Sequence, residues 1–581
     1  MCAVPQSLTP SGQRRKPGSD VKGFQSEELM NLRSGPCLAA MILFLVSYSA
    51  TSAWAAPVSA ADAQRWRADL SYMSVALTTY HKNAFHTVSK ERFDSAVYAL
   101  NERIPALTRF QIIVGLKQII AMIGDEHTGF GLSTGPPTFF HTLPIKVYRY
   151  SDGYFVQSAS PQYKSIVGLR ITRIGRFSTD EAMARVRTLA DASNEWSFYG
   201  DLAFLMRGEA LHALGITDAD DRATLRVASP SGERDVIVRV VPHPFDLGYD
   251  LGPPPGTDWI DSRQPAGTPL YLQDQTSYYW YRYTSDKTLY IHLKFVLNAD
   301  HGETLAQFFD RTFAFANTHE VEKLVLDIRN NGGGDNELTP AIVQNVIMHP
   351  NLNKEGRFYV IIGRGTASAA QNLTDRLQRD THAIFVGEPT SEWPNHYGDP
   401  QAFVLPFSHI RVNISSLFWQ DLDPRDHRQW TGPDVAAELS SSEYSHNVDP
   451  AMNAIAHWHD TTLAEQLAPL VAENDEQKIA AAYAAFFNDP IHKYSQEESQ
   501  MEAMAYDLID ESKPKLALLL FRLNVETNPK SNMAYDGLGD AYVALNQMGD
   551  ARNAYSRALK IDPRDSVAAA SLSRLQSGSE Q

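Results

Sequence analysis

Apolar positions change their period along the chain. From Ala60 to about Ser133 they recur every three or four residues: Trp66, Leu70, Met73 and Leu77, then Phe93, Val97 and Leu100, then Ile112, Leu116, Ile119, Ile120 and Ile123. That spacing lines one face of a helix. It predicts a small helical bundle ending at Gly124-Asp125-Glu126-His127-Thr128-Gly129. From Leu143 to about Val241 the runs shorten to IKVYRY, YFVQSA, LRITRI, ATLRV and DVIVRVV, with Gly, Asp and Ser between them. These read as strands bounded by turns, with helical stretches near 179–190 and 198–213. Gly252-Pro253-Pro254-Pro255-Gly256 is a stiff break and a natural domain boundary.

From about Pro269 to Trp458 apolar strands alternate with helices. The strands are 289–293, 324–328, 358–363 and 383–388; the helices are 302–317, 338–346 and 369–377. Strands that are apolar throughout and separated by helices predict a parallel sheet covered on both faces. From about Glu497 a repeat of about 34 residues appears. Tyr535, Leu538, Gly539, Tyr542, Ala551, Tyr555, Ala558 and Pro563 fall on the tetratricopeptide pattern, and Met501, Met504, Ala505, Leu508, Ala517, Phe521 and Pro529 follow it more loosely one period earlier. Such arrays usually stack three or more units. The helical stretch 474–488 is available as a further unit, or the pair docks on the main body; an ordinary helical hairpin is the alternative.

Cys37–Val46 is apolar over about ten residues, roughly half a membrane span. Arg14, Arg15, Lys16, Lys22 and Arg33 precede it and Ala53-Trp54-Ala55 follows. Basic start, short apolar middle and small-residue cleavage site predict a secretory signal peptide, hence a periplasmic or extracellular protein with no membrane span after cleavage. The long lead before the apolar run suggests a start at Met30.

Composition narrows the field. The chain has 581 residues, 52 Lys+Arg against 68 Asp+Glu, and a formal charge of −16. It lacks the basic footprint of a nucleic-acid binder. With 43% hydrophobic and 10% aromatic residues it is globular. Cys2 and Cys37 are its two cysteines, which excludes a disulfide scaffold and a cysteine-based zinc site.

Two turns carry the candidate chemistry. Leu326-Asp327-Ile328-Arg329-Asn330-Asn331-Gly332-Gly333-Gly334-Asp335 places three glycines after a buried strand, where backbone N–H groups can approach a ligand closely. Ile362-Gly363-Arg364-Gly365-Thr366-Ala367-Ser368-Ala369 is strand, tight turn and helix, with Ser368 at the positive end of the helix dipole. Both turns end parallel strands, where open α/β sheets place their ligand crevices. Spacing alone leaves Ser368 equally open as a helix cap. Gly363-x-Gly365-x-x-Ser368 with Glu388 also mimics a dinucleotide fingerprint, although its third glycine is missing. His457-Trp458-His459-Asp460 is open as a metal site or as a solvated face. GxxxxGK[ST] and HExxH do not occur.

The motifs LVLDIRNNGGGDN, VIIGRGTASAAQNL and AIFVGEPT, with GDEHTG, VGLRITRIG, PNHYGD, FWQDLDPRD and TGPDVAAELS, resemble the tail-specific (C-terminal-processing) serine protease family, which includes the tricorn protease core. The resemblance spans roughly 60–460. Together with the leader and the repeats read above, it implies a multidomain α/β protein: signal peptide and leader 1–56, helical domain 57–135, PDZ-like region 136–250, protease core 265–460, helical linker 461–496 and tetratricopeptide repeats 497–577. It implies Ser368 as nucleophile and the amides of Gly332, Gly333 and Ala369 as oxyanion hole. The processing branch takes its base from a lysine after GEPT, but Ser391, Glu392, Trp393 and Pro394 stand there, and Gln371 replaces its usual Glu. The tricorn-like branch uses a histidine from the upstream helical region, matched by His127, with Asp426 at the place of the orienting acid and His396 as the reserve base. The implied activity is peptide hydrolysis on a peptide or protein substrate, without metal or cofactor. The PDZ-like region would add an extended peptide as a strand, and the repeats would bind a partner protein. A catalytically inactive peptide-binding scaffold of the same fold is the alternative. An unperturbed imidazole would make activity rise through about pH 6–7.

Overall fold

A computed structural model of the chain describes residues 56–200, 202–241, 251–265, 267–458 and 462–577. The leader with Met30, both cysteines and Ala53-Trp54-Ala55 lies outside the described residues, as do His459 and Asp460.

Three helices come first: α1 (Ala60–Tyr80), α2 (Lys90–Arg103) and α3 (Arg109–Ala121). The hydroxyls of Ser59, Ser89 and Thr108 accept the backbone N–H of Asp62, Arg92 and Gln111 in their first turns. Each such cap satisfies a donor that has no partner within the helix, a contribution of about 1 kcal/mol. The apolar face of α1–α3 packs on an antiparallel sheet ordered β1 (Ile145–Tyr150), β2 (Gly153–Ala159), β3 (Arg170–Ile174), β4 (Arg222–Ser229) and β5 (Gly232–Arg239). Two-residue strands, Phe177–Ser178 and Ile260–Asp261, pair with β3 and β2. Trp66, Leu70, Ile112 and Ile120 share one core with Ile145, Val156, Ile171 and Leu225, so that core runs across the 135/136 boundary expected from the sequence. The Gly252–Gly256 break stays close to this sheet, for Gly252 N–H donates to Gln157 Oε1 at 2.9 Å.

The second sheet holds β6 (Tyr279–Tyr283), β7 (Thr288–Leu293), β8 (Lys323–Asp327), β9 (Phe358–Ile362) and β10 (Ile384–Gly387), in spatial order β10-β9-β8-β7-β6 with Val435–Ala436 beyond β10. All neighbours are parallel except β6 and β7. Helices α4 (Leu305–Ala316), α5 (Thr339–Ile347) and α6 (Ala369–Asp380) cover one face. Helix α7 (Pro450–His457) covers the other, setting Ala451 and Ile455 against Tyr290, Val325, Tyr359 and Ile361. Double coverage explains why every residue of β7 and β9 is buried.

β11 (His396–Val404) and β12 (Arg411–Trp419) form an antiparallel hairpin separate from the main sheet. Ile410, Val412 and Ile414 enter the core of α1–α3, so the hairpin ties the helical lobe to the α/β core.

Helices α8 (Leu463–Glu473), α9 (Glu476–Asn488), α10 (Glu498–Asp510), α11 (Pro514–Thr527), α12 (Asn532–Ala544), α13 (Met548–Ile561) and α14 (Ser566–Ser577) follow. α10, α12 and α14 start at 498, 532 and 566, the spacing of the repeat. Leu467, Ile479, Tyr483 and Phe486 of α8 and α9 pack on Met501, Leu508 and Phe521, so α8–α9 stack as a further hairpin on the first repeat. Gly539 is required by close approach: a Cβ there would lie 2.4 Å from the Tyr555 ring. Among the described residues no helix is long and apolar enough to cross a membrane.

The two lobes are also pinned by a buried ion pair. Arg364 Nε and Nη2 each donate to Glu388 at 2.7 Å, and Arg364 Nη1 donates to Arg149 O of β1 at 2.7 Å. Glu388 is thereby committed to a guanidinium instead of standing free for a ribose. Removing one partner of such a pair leaves an uncompensated buried charge, at a cost of about 3–5 kcal/mol. Glu388→Gln is therefore expected to lower the thermal midpoint by several degrees. A variant as stable as wild type would remove this pair from the frame.

Candidate active site

The two glycine-bearing turns lie side by side at the carboxyl ends of β8 and β9. Asn331 joins them. It is fully buried; its Nδ2 donates to Leu293 O at 3.0 Å, its Oδ1 accepts Gly333 N–H at 2.9 Å, and its carbonyl accepts Ala367 N–H at 3.1 Å. Thr366 Oγ1 donates to Ile328 O at 2.8 Å and accepts Gly363 N–H at 3.1 Å. The turn that carries Ser368 is thus bound on both sides before its side chain is considered.

Ser368 sits at φ 56° and ψ −128°, a conformation that L residues rarely adopt. Its hydroxyl makes no cap bond to α6. Instead, Oγ lies 3.1 Å from His127 Nε2. Gly333, at φ 101°, runs directly beneath: a Cβ on it would stand 2.5 Å from Ser368 Cβ.

His127 is brought in by the loop after α3, which is clamped from behind. Asp125, 3% exposed, accepts from His81 Nε2 at 2.7 Å, from Ser415 Oγ at 2.8 Å and from His127 N–H at 2.9 Å. Thr128 Oγ1 accepts Ser415 N–H at 3.0 Å, and Gly129 and Asn413 exchange backbone bonds of 2.9 and 3.0 Å. Two of these partners, Asn413 and Ser415, belong to β12. The hairpin therefore decides where the imidazole stands.

The acid beside that imidazole is Glu392. Its Oε1 lies 3.0 Å from His127 Nδ1, off the axis of the ring N–H, so it acts foremost as a close charge partner. Its Oε2 accepts the backbone N–H of Ser368. Asp426, expected in this role, is engaged elsewhere: Arg428 grips its carboxylate from Nε at 3.0 Å and from Nη2 at 2.7 Å. His396, the reserve base, stands beside Glu392; its Nε2 is 3.6 Å from Glu392 Oε2, and its ring stacks 6.1 Å from that of His127. Gln371 is structural, donating to Asp375 at 2.8 Å and to Thr431 Oγ1 at 2.9 Å. His457 bonds its own helix at Asn453 O.

The expected oxyanion donors need one correction. Gly333 N–H is consumed by Asn331, and Ser368 N–H by Glu392. Among the described residues the amides of Gly332 and Ala369 find no acceptor. Ala369 is the first residue of α6, where a helix leaves its N–H without an internal partner. Gly332, Ser368, His127, Glu126, Lys294 and Asn330 line one cavity of about 370 Å³.

Electrostatics follow from the crowding of acids. Burial by itself would lower the His127 pKa, but the Glu392 carboxylate, with Asp125 and Asp399 behind it, raises it to about 9. Burial opposes ionisation of Glu392, yet His396 and His127 hold its pKa below the usual carboxylate value. Burial and the Glu392 charge push Glu126 well up, which favours its neutral form. Of the neighbouring pair Glu126 and Glu392, the negative charge therefore rests on Glu392.

No family model matches the chain, and no curated protein matches it in sequence. Among solved structures it is similar to mature CPAF complexed with lactacystin, with a TM-score of 0.49 at 13% identity over 71% of this chain and 99% of that one. It is also similar to the photosystem II D1 C-terminal processing protease, with a TM-score of 0.31 at 15% identity over 66% of this chain and 94% of the other. For the tricorn protease the TM-score is 0.33 at 15% identity, over 67% of this chain and 36% of that chain.

Proposed function

We propose that this chain is an exported serine-type peptidase of the C-terminal-processing kind, in its lysine-lacking, tricorn-like form. One observation carries the reading: a strained serine hydroxyl 3.1 Å from an imidazole whose other nitrogen lies 3.0 Å from a buried carboxylate. Two uncommitted amides beside the hydroxyl complete the set.

The chemistry follows from these positions. Neutral His127 takes the Ser368 proton at Nε2 as Oγ bonds to the scissile carbonyl carbon. The carbonyl oxygen gains the negative charge, and the N–H groups of Gly332 and Ala369 stabilise it. Glu392 stabilises the imidazolium. His127 then returns the proton to the leaving amine, and water repeats the cycle on the acyl ester. Neither metal nor cofactor is invoked. The apolar leader supports export. The edge position of β5 supports capture of an extended peptide as an added strand, and the stacked C-terminal hairpins support a protein partner.

A fluorophosphonate probe is expected to label wild type and not Ser368→Ala. A wild type that never labels favours the inactive-scaffold reading. Glu392→Gln should slow labelling by about 10²- to 10⁴-fold, as loss of an orienting acid does, while Asp426→Asn leaves the rate unchanged; the reverse ranking would restore Asp426.

The pH dependence has a definite sign. The base works only when neutral, and its pKa is raised to about 9. Labelling should therefore climb with pH to a midpoint near 9, not in the range of about 6–7 set by a free imidazole. A rate already at its plateau at neutral pH would contradict the assignment of His127.

A further inference from the structure

His396 does not reach Ser368, yet it is buried against the group on which both Ser368 and His127 depend. His396 and Glu392 side chains are 4% and 1% exposed, with Nε2 3.6 Å from Oε2. Glu392 has few other donors. Oε1 meets His127 off axis, Oε2 has the Ser368 amide, and Glu126 adds an acidic neighbour. Among the described residues His396 Nδ1 is buried without a hydrogen-bond partner. A ring proton there would face no acceptor, whereas a proton on Nε2 faces a carboxylate. His396 is also the first residue of β11, and its hairpin partner β12 clamps the His127 loop through Asn413 and Ser415. One hairpin therefore holds the loop that carries the base from one strand and stands beside the acid from the other.

We propose that His396 is a positioning residue: with its proton on Nε2 it holds Glu392 in the rotamer that serves His127 with one oxygen and the Ser368 amide with the other. The proposal rests on the peptidase reading of the site. The titratable groups packed around the pair are Asp125, Glu126 and His127 of the His127 loop and Asp399 of β11. Without the His396 ring beside it, Glu392 concentrates its charge on His127, and the base becomes harder to neutralise.

The test compares wild type with His396→Phe, which keeps a ring and loses the donor, and His396→Gln, which keeps an N–H. His396→Leu serves if the Phe variant fails to fold. Fluorophosphonate labelling is followed from pH 6 to 10. The Phe variant should slow on the order of 10²-fold, the cost of a roughly 1 Å misplacement, with its midpoint moved to higher pH, and Gln should recover most of the rate. A Phe variant equal to wild type overturns the proposal. So do Phe and Gln variants equally slow at an unmoved midpoint, which would mark His396 as packing alone. NMR titration of His127 reads the same coupling in a chain that does not label. Its midpoint should rise in His396→Phe, and an unmoved midpoint overturns the proposal even if the wild type is inert, an outcome that would separately defeat the peptidase reading.

Discussion

A single buried carboxylate sets the geometry of this site. Glu392, 1% exposed, can keep its charge away from water only if donors surround it. Around it stand the Ser368 amide, which donates to Oε2, and the rings of His127 and His396 at 3.0 and 3.6 Å. Each is therefore bound to the others through the acid, and the position of one dictates the rest. The same pairing explains how Ser368 holds a backbone conformation that costs energy: its N–H is locked onto Glu392 and its neighbour Ala367 onto Asn331.

The scaffold delivers these groups from different layers. Parallel strands β8 and β9 end in the two glycine turns, where the amides and the hydroxyl converge. The helical lobe supplies the imidazole, and the β11–β12 hairpin fastens that lobe to the core. The cost of the arrangement is concentrated charge. Several acids within reach of one imidazole make it a strong base that is mostly protonated at neutral pH.

The sequence made the helices and the central sheet legible because their signals are local and periodic: apolar residues at helical spacing after Ser and Thr caps, and uninterrupted apolar strands. The hairpin stayed hidden because Gly398, Asp399 and Pro400 break the strand pattern of β11. In the site, spacing left Ser368 equally open as a helix cap, and His127 entered only through the resemblance of GDEHTG to the family's motif. Glu392 was visible only as the absence of a lysine, although an acid just after the GEPT segment was a signal in itself. Asp426 misleads because Arg428, two residues on, consumes its carboxylate, a pairing seen only once the turn is folded. Gly333 misleads for a similar reason: the Asn331 side chain folds back onto its amide, as Asn in turns commonly does.

If Glu392 makes His127 the base for Ser368, the titration of His127 itself reports it. In a chain labelled at histidine ring carbons, the resonance lost in His127→Gln should titrate with a midpoint near 9 and fall toward the free-imidazole value in Glu392→Gln. A His127 resonance that titrates near 6.5 in wild type, unchanged by Glu392→Gln, would contradict the account.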